Sequence, residues 1–232
     1  MLIDAGNEED FNKIDKYLKK LGITKLDIVV GTHAHEDHIG SLDYIIENLD
    51  VSKIYFSKHI ANTKTFRDFA LSVESKELKL TAPKAGDEFT LGDVKFKVLA
   101  PSRASYDSIN NYSIVLKAVY GKSSYIFTGD AETLSENEML ANFPEDLKNI
   151  DVLKVAHHGS KSSTSADFLN SINPKYAVIS VGKDNDYGHP TKSVINRLTK
   201  KEISIHRTDE CGDIVSSADG EGNISFKCEF GR

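Results

Sequence analysis

The stretch Gly31-Thr32-His33-Ala34-His35-Glu36-Asp37-His38-Ile39-Gly40 follows a mostly apolar run, Leu26–Val30, and its reading decides how the rest of the chain is understood. His33, His35, Asp37 and His38 set four potential metal ligands within six residues. Imidazole nitrogen and carboxylate oxygen both suit zinc, manganese or iron. Four donors exceed what one tetrahedral ion takes while keeping a place for water. The spacing therefore points to two neighbouring ions, one served mainly by His33 and His35, the other by Asp37 and His38. Asp37 also has a plain structural use, as a cap for the helix that follows.

Outward from this loop, short apolar runs alternate with amphipathic stretches. Leu2-Ile3-Asp4-Ala5-Gly6 reads as a strand end closed by glycine. Phe11, Ile14, Leu18 and Leu21 recur at helical spacing before Gly22. Leu26–Val30 and Lys53–Ser57 read as strands, with helices around Leu42–Leu49 and Phe66–Val73. Beyond Pro83 the pattern changes to hairpins, at 88–99 and 112–128, then to strands at Val152–Ala156, Ala177–Val181 and Ile203–His206 with helices between them. A last hairpin occupies 213–230, turning at Asp219-Gly220. No linker or low-complexity tract divides the 232 residues. The expected architecture is α/β, a four-layer αββα sandwich: two mixed sheets face to face, helices outside, in a single domain spanning 1–232. The abrupt start at Met1-Leu2-Ile3 suggests that a first strand is lacking.

Composition narrows the function. A net charge of −6 argues against a surface given over to nucleic acid. No apolar run approaches the ~20 residues that cross a bilayer, and no secretory leader is visible. The compartment stays open: cytoplasm, or a fragment of a secreted or membrane-attached protein. No protein partner can be inferred. Cys211 and Cys228 are too few for a disulfide framework; a bridge across the last hairpin is geometrically feasible, whereas free thiols are the expectation in a cytosolic chain.

Three further strand ends carry ligand-type residues. Thr128-Gly129-Asp130 places a carboxylate after an apolar strand, suited to bridging two cations or, more simply, to the start of the next helix. Val155-Ala156-His157-His158-Gly159-Ser160 repeats the order strand, histidines, glycine. Tyr187-Gly188-His189-Pro190 is the third. His59 and His206 lack such a setting and read as ordinary surface or half-buried histidines.

Together these strings resemble the metallo-β-lactamase fold superfamily. Its signature is matched by His33-Ala34-His35-Glu36-Asp37-His38, its first motif by Leu2–Gly6, and its bridging-aspartate motif by Thr128-Gly129-Asp130. Asn110-Asn111-Tyr112-Ser113, His157–Lys161 and Tyr187–Pro190 are similar to the hydrolase domain of bacterial competence DNA-uptake channels, with the phosphorylcholine esterases of bacterial surfaces as relatives. The resemblance implies a binuclear metal-dependent hydrolase using a metal-bridged hydroxide on a phosphodiester, in DNA or in a small molecule. Two divalent ions are implied, zinc first, then manganese or iron. His33, His35 and one of His157 and His158 would hold the first ion; Asp37, His38 and His189 the second; Asp130 would bridge. The histidine of the pair that is not a ligand would protonate the leaving group. Asp4 would orient a ligand histidine, and Asn110, Asn111, Ser160 and Lys161 stand as residues near substrate. One departure is that many members place a histidine where Asn110 and Asn111 stand here. Alternatives within and outside the class are a β-lactam or thioester hydrolase and a metal-binding module without catalysis.

Overall fold

Asp27 is exposed and interrupts the apolar run Leu26–Val30, so the single strand expected there forms as two. In the computed structural model of the protein, which describes residues 1–230, the chain divides into two compact units. The first comprises Met1–Pro83 with Arg103–Ile114, the second Lys84–Ser102 with Val115 onward.

The first unit contains β1 (Leu2–Ile3), α1 (Phe11–Lys20), β2 (Lys25–Leu26), β3 (Val29–Gly31), α2 (Glu36–Ile39), α3 (Leu42–Asn48), β4 (Asp50–Val51), β5 (Ile54–Phe56), α4 (Lys64–Ser75) and β6 (Leu80–Thr81). Its main sheet runs β1-β3-β5-β6, and β2 pairs separately with β4. The main sheet is wholly parallel where a mixed one was expected, because each connection passes through a helix rather than a tight turn. Buried Val29, Ile39, Leu42, Ile45, Ile46, Ile54 and Phe69 form the core. Helix α4 is started by Thr63, whose hydroxyl accepts from Phe66 N–H at 3.2 Å, a cap worth about 1 kcal/mol. The motif is not all loop: His35 is the N-cap residue of α2, and Asp37 and His38 are helical. Tyr112, read as the start of a strand, lies in a 3-10 turn, Ile109–Tyr112, together with buried Asn110 and Asn111.

The second unit contains β7 (Glu88–Leu91), β8 (Val94–Ala100), β9 (Val115–Tyr120), β10 (Ser123–Phe127), α5 (Thr133–Asn142), β11 (Val152–Lys154), α6 (Ala166–Ile172), β12 (Tyr176–Ile179), α7 (Lys192–Lys200), β13 (Ser204–Arg207), α8 (Thr208–Cys211), β14 (Ile214–Ala218) and β15 (Ile224–Cys228). Its seven-stranded sheet runs β13-β12-β11-β10-β9-β8-β7, parallel from β10 to β13 and antiparallel from β10 to β7. Ile126, Leu153, Phe168, Leu169, Ile172, Ile179 and Leu198 are fully or almost fully buried against it. Among the described residues no helix is long and apolar enough to cross a membrane.

Two features of this unit differ from, or add to, the sequence reading. Cys211 and Cys228 are joined as a disulfide with Cα atoms 5.3 Å apart, instead of standing as free thiols. The pairing Ile214↔Cys228 brings the end of β15 back beside α8, and that register sets the two residues at bridging distance. Glu136 of α5 is buried, and its carboxylate accepts from the backbone N–H groups of Thr164 and Ser165 while Arg197 donates to the carbonyls of Ser163 and Thr164. Burial holds this carboxyl above its ordinary range. The clamp fixes the segment that follows His157 and His158.

His206 stacks on Phe226 with ring centroids 4.1 Å apart, and its Nε2 is buried without a hydrogen-bond partner among the described residues. Burial pulls its imidazole below the usual histidine value. The folded protein therefore binds fewer protons here than the unfolded chain, and the contribution is complete above the unfolded pKa and lost as pH falls through it toward the folded one. A His206→Phe protein is expected to gain on the wild type in thermal midpoint as pH is lowered from 7.5 to about 5.5. Parallel melting curves at both pH values would refute this.

Candidate metal centre

Asp4 holds the first donor cluster in place. It sits at φ 59°, a left-handed conformation that aspartate tolerates better than most side chains, and it turns its carboxylate back onto the motif. One oxygen accepts from Thr32 N–H at 2.8 Å; the other accepts from the Thr32 hydroxyl at 2.9 Å and lies 2.7 Å from His38 Nδ1. An ionised carboxylate can only accept, so His38 carries its proton on Nδ1 and bears its lone pair on Nε2. Thr32 spends its own proton on Asp4, so its oxygen accepts from His33 Nδ1 at 3.1 Å, which leaves the lone pair on His33 Nε2. That nitrogen faces His35 Nδ1 at 2.9 Å. The rings of His33 and His38 lie 4.2 Å apart, and an Asp37 oxygen lies 3.8 Å from His38 Nε2. Ligand atoms about 2.0 Å from a tetrahedral ion lie about 3.3 Å from one another. His33 with His35, and Asp37 with His38, are thus two pairs of donors of the kinds that divalent cations take.

The second unit presents its own donors. Asp130, buried after β10, has one oxygen 3.7 Å from His157 Nε2 and the other 3.6 Å from His158 Nε2. His157 and His158 both adopt left-handed backbone, at φ 48° and 51°, within the 3-10 turn Ala156–Gly159. Such residues cost about 1–3 kcal/mol each and persist where their surroundings fix them. Here His157 N–H donates to the Gly129 carbonyl at 3.1 Å, and the Glu136 clamp holds the following segment. His158 Nδ1 donates to the Ser180 carbonyl at 2.8 Å, so its Nε2 bears the lone pair. His157 Nδ1 lies 3.2 Å from Ser162 Oγ and 3.9 Å from a Glu132 oxygen. His189 meets His157 edge to face at 5.8 Å. Its Nδ1 is buried with no hydrogen-bond partner among the described residues, as befits a nitrogen kept for a ligand. Burial, then the neighbouring His157 and His158, lower its pKa from the usual histidine value.

Against this geometry, the family model of the metallo-β-lactamase superfamily matches residues 1–183. The chain belongs to that superfamily. The ComE operon protein 3 of Bacillus subtilis is 36% identical over 198 residues, which is 85% of this chain and 25% of that protein. Competence protein ComA of Neisseria gonorrhoeae is 32% identical over 195 residues, 84% of this chain and 26% of the relative. The chain thus spans about a quarter of the length of these relatives. Among solved structures, the metallo-β-lactamase fold protein YhfI from Bacillus subtilis superposes with a TM-score of 0.57 at 13% identity, covering 96% of this chain and 85% of that one. The metallo-β-lactamase fold expected from the sequence is the fold of this chain, and the superfamily makes it a metallo-hydrolase.

The structure brings Asp4, His33, His35, Asp37 and His38 together in one unit, and Asp130, His157, His158 and His189 together in the other. The residues read as substrate contacts divide. Lys161 is exposed, whereas Ser160 is buried and its hydroxyl lies 3.1 Å from that of Ser162 within its own loop. The positioning partners Thr32, Ser113 (3.4 Å from His33 Nδ1), Ser162, the Ser180 carbonyl and Asn185 are additions of the structure. In sequence, Thr32 and Ser113 stand inside strings already singled out and Ser162 directly after one, but their residue types do not mark the role.

Proposed function

We propose that the chain is a binuclear metal-dependent phosphodiesterase, acting on single-stranded DNA or a small phosphodiester, with the histidines and aspartates of the motif strings as its ligands. The observation that carries the reading is the Asp4–Thr32 relay, which commits the tautomers of His33 and His38 and leaves lone pairs where a cation needs them. The similarity to competence proteins and the motifs at Asn110–Ser113 and Tyr187–Pro190 support a phosphodiester. Divalent ions bound there supply Lewis acidity, acidifying water and drawing charge from a phosphoryl oxygen.

The protein's own residues divide the remaining work. His158, with Nδ1 committed to a backbone carbonyl, is the ligand of the pair, since metal-bound histidines characteristically donate their other nitrogen to such an acceptor. His157, beside the Glu132 carboxylate, holds the proton handed to the departing oxygen. Asp130 sits between the two rings and keeps both facing one way.

The test uses protein purified without chelator. About two equivalents of zinc, manganese or iron are expected per chain by plasma mass spectrometry, with cleavage of bis(p-nitrophenyl) phosphate. Asp130→Asn should lose at least ~100-fold in rate, the scale of removing one preorganised electrostatic group. Full activity in that variant with metal present would remove the role given to Asp130. Metal bound without turnover of any phosphodiester would remove the phosphodiesterase reading and leave the β-lactam or thioester hydrolase and the binding module.

A further inference from the structure

Tyr187 does nothing for the core. It is 84% exposed, yet it sits two residues from His189 and stacks on the His189 imidazole with centroids 5.9 Å apart and planes 27° from parallel. His189 in turn meets His157. A ladder of three rings thus leads from solvent to the histidines of the donor cluster. The loop that presents Tyr187 is tied at its base. Asn185 donates through Nδ2 to the carbonyls of Gly182 at 2.9 Å and His189 at 2.7 Å, and its Oδ1 accepts from His189 N–H at 3.0 Å. Gly188, at φ +66° with open space around it, lets the chain turn between the two aromatic residues. The base of the loop is therefore tied to His189, and the large apolar surface that Tyr187 shows to water has no packing reason to be there.

We propose that Tyr187 is a stacking platform for a nucleobase of the substrate, which makes this a nucleotide-selective enzyme; the inference rests on the phosphodiesterase reading above. Every base has a π-face, so a single aromatic ring suffices to hold one without reading its identity. A quaternary ammonium head group would also favour a phenol ring, but its recognition draws on several aromatics forming a cage, and Tyr187 is the one aromatic other than His189 in the stretch 182–190. The loop carries Asp184 and Asp186 against Lys183, so it offers no net positive charge to grip phosphate. The platform's contribution is thus independent of salt, unlike backbone contacts.

Three substrates sharing one leaving group test this: thymidine 5′-(p-nitrophenyl phosphate), p-nitrophenyl phosphorylcholine and methyl p-nitrophenyl phosphate. Tyr187→Ala is expected to raise KM for the thymidine ester about tenfold, equally at low and high salt, with kcat little changed, the size of one lost base–aromatic stack. The other two esters should be unaffected, and Tyr187→Phe should behave as wild type. An equal loss on all three substrates, a loss confined to the choline ester, or no loss would overturn the proposal. Fluorescence anisotropy of labelled oligo(dT) in chelator reads the same contact without turnover. If the wild type cleaves none of the esters, the phosphodiesterase reading fails, and Tyr187→Ala must still weaken oligo(dT) binding about tenfold for the platform to stand.

Discussion

Asp4→Asn is expected to weaken divalent-metal binding about 10- to 100-fold while leaving the metal-free fold close to wild type. The side chains have the same shape, and asparagine accepts the left-handed conformation at φ 59°. What changes is the direction of the hydrogen bonds. If the amide oxygen stays with Thr32 N–H, the amide nitrogen faces both the Thr32 hydroxyl and His38 Nδ1, where the carboxylate had accepted from both. His38 must then move its proton to Nε2, the nitrogen the relay had kept for a cation. If the amide is flipped, its nitrogen meets Thr32 N–H, and two donors oppose each other in a half-buried place, a cost of about 1–3 kcal/mol. The first outcome removes the lone pair from His38 Nε2; the second keeps that tautomer and weakens the contact that positions the ring. Competition titration against a chelating dye measures the affinity, and melting in chelator reports the fold. An unchanged affinity would mean that the Asp4–His38 contact does not govern the tautomer.

How much of this was legible beforehand follows from how far each feature depends on neighbours in sequence. His33, His35, Asp37 and His38 are read easily because one short turn entering α2 carries them all. Asp130, His157–His158 and His189 each sit at a strand end or in a turn beside glycine, and that local pattern also survives in sequence. Thr32, Ser162 and Asn185 are generic polar residues, and nothing in their identity says which ring they will hold. The left-handed backbone at His157 and His158 is invisible for a related reason: neither residue type asks for it, and the Gly129 and Ser180 carbonyls impose it from elsewhere in the unit. The split of 26–30 into β2 and β3 depends on β4, a two-residue strand too short to read from periodicity. The disulfide spans 17 residues and depends on the register of β14 with β15, which a one-residue slip would have undone.

Gly159→Ala should damage the second unit strongly for a change of one methyl. Gly159 lies at φ +85°, directly after two left-handed histidines, and its carbonyl accepts from both Thr191 N–H at 2.9 Å and Thr191 Oγ1 at 3.0 Å. A Cβ there would stand 2.5 Å from Pro190 Cβ and 2.9 Å from Pro190 Cα. The positive φ costs roughly 1–2 kcal/mol for any residue with a Cβ. The collision adds about 1–3 kcal/mol, because a proline ring and its backbone cannot swing aside as a long side chain can. A loss of about 3 kcal/mol corresponds to a fall of roughly 6–12 °C in melting temperature for a chain of this size. The displacement passes in two directions at once, through Pro190 to His189 and through the turn to His157 and His158. Metal content should therefore fall along with stability. The collision is separable from the strain. Pro190→Gly removes the Cβ that lies nearest, so the double variant should lose less stability than the two single variants added together. Strict additivity would show that the backbone conformation alone makes this position intolerant, and that Pro190 is not what holds glycine there.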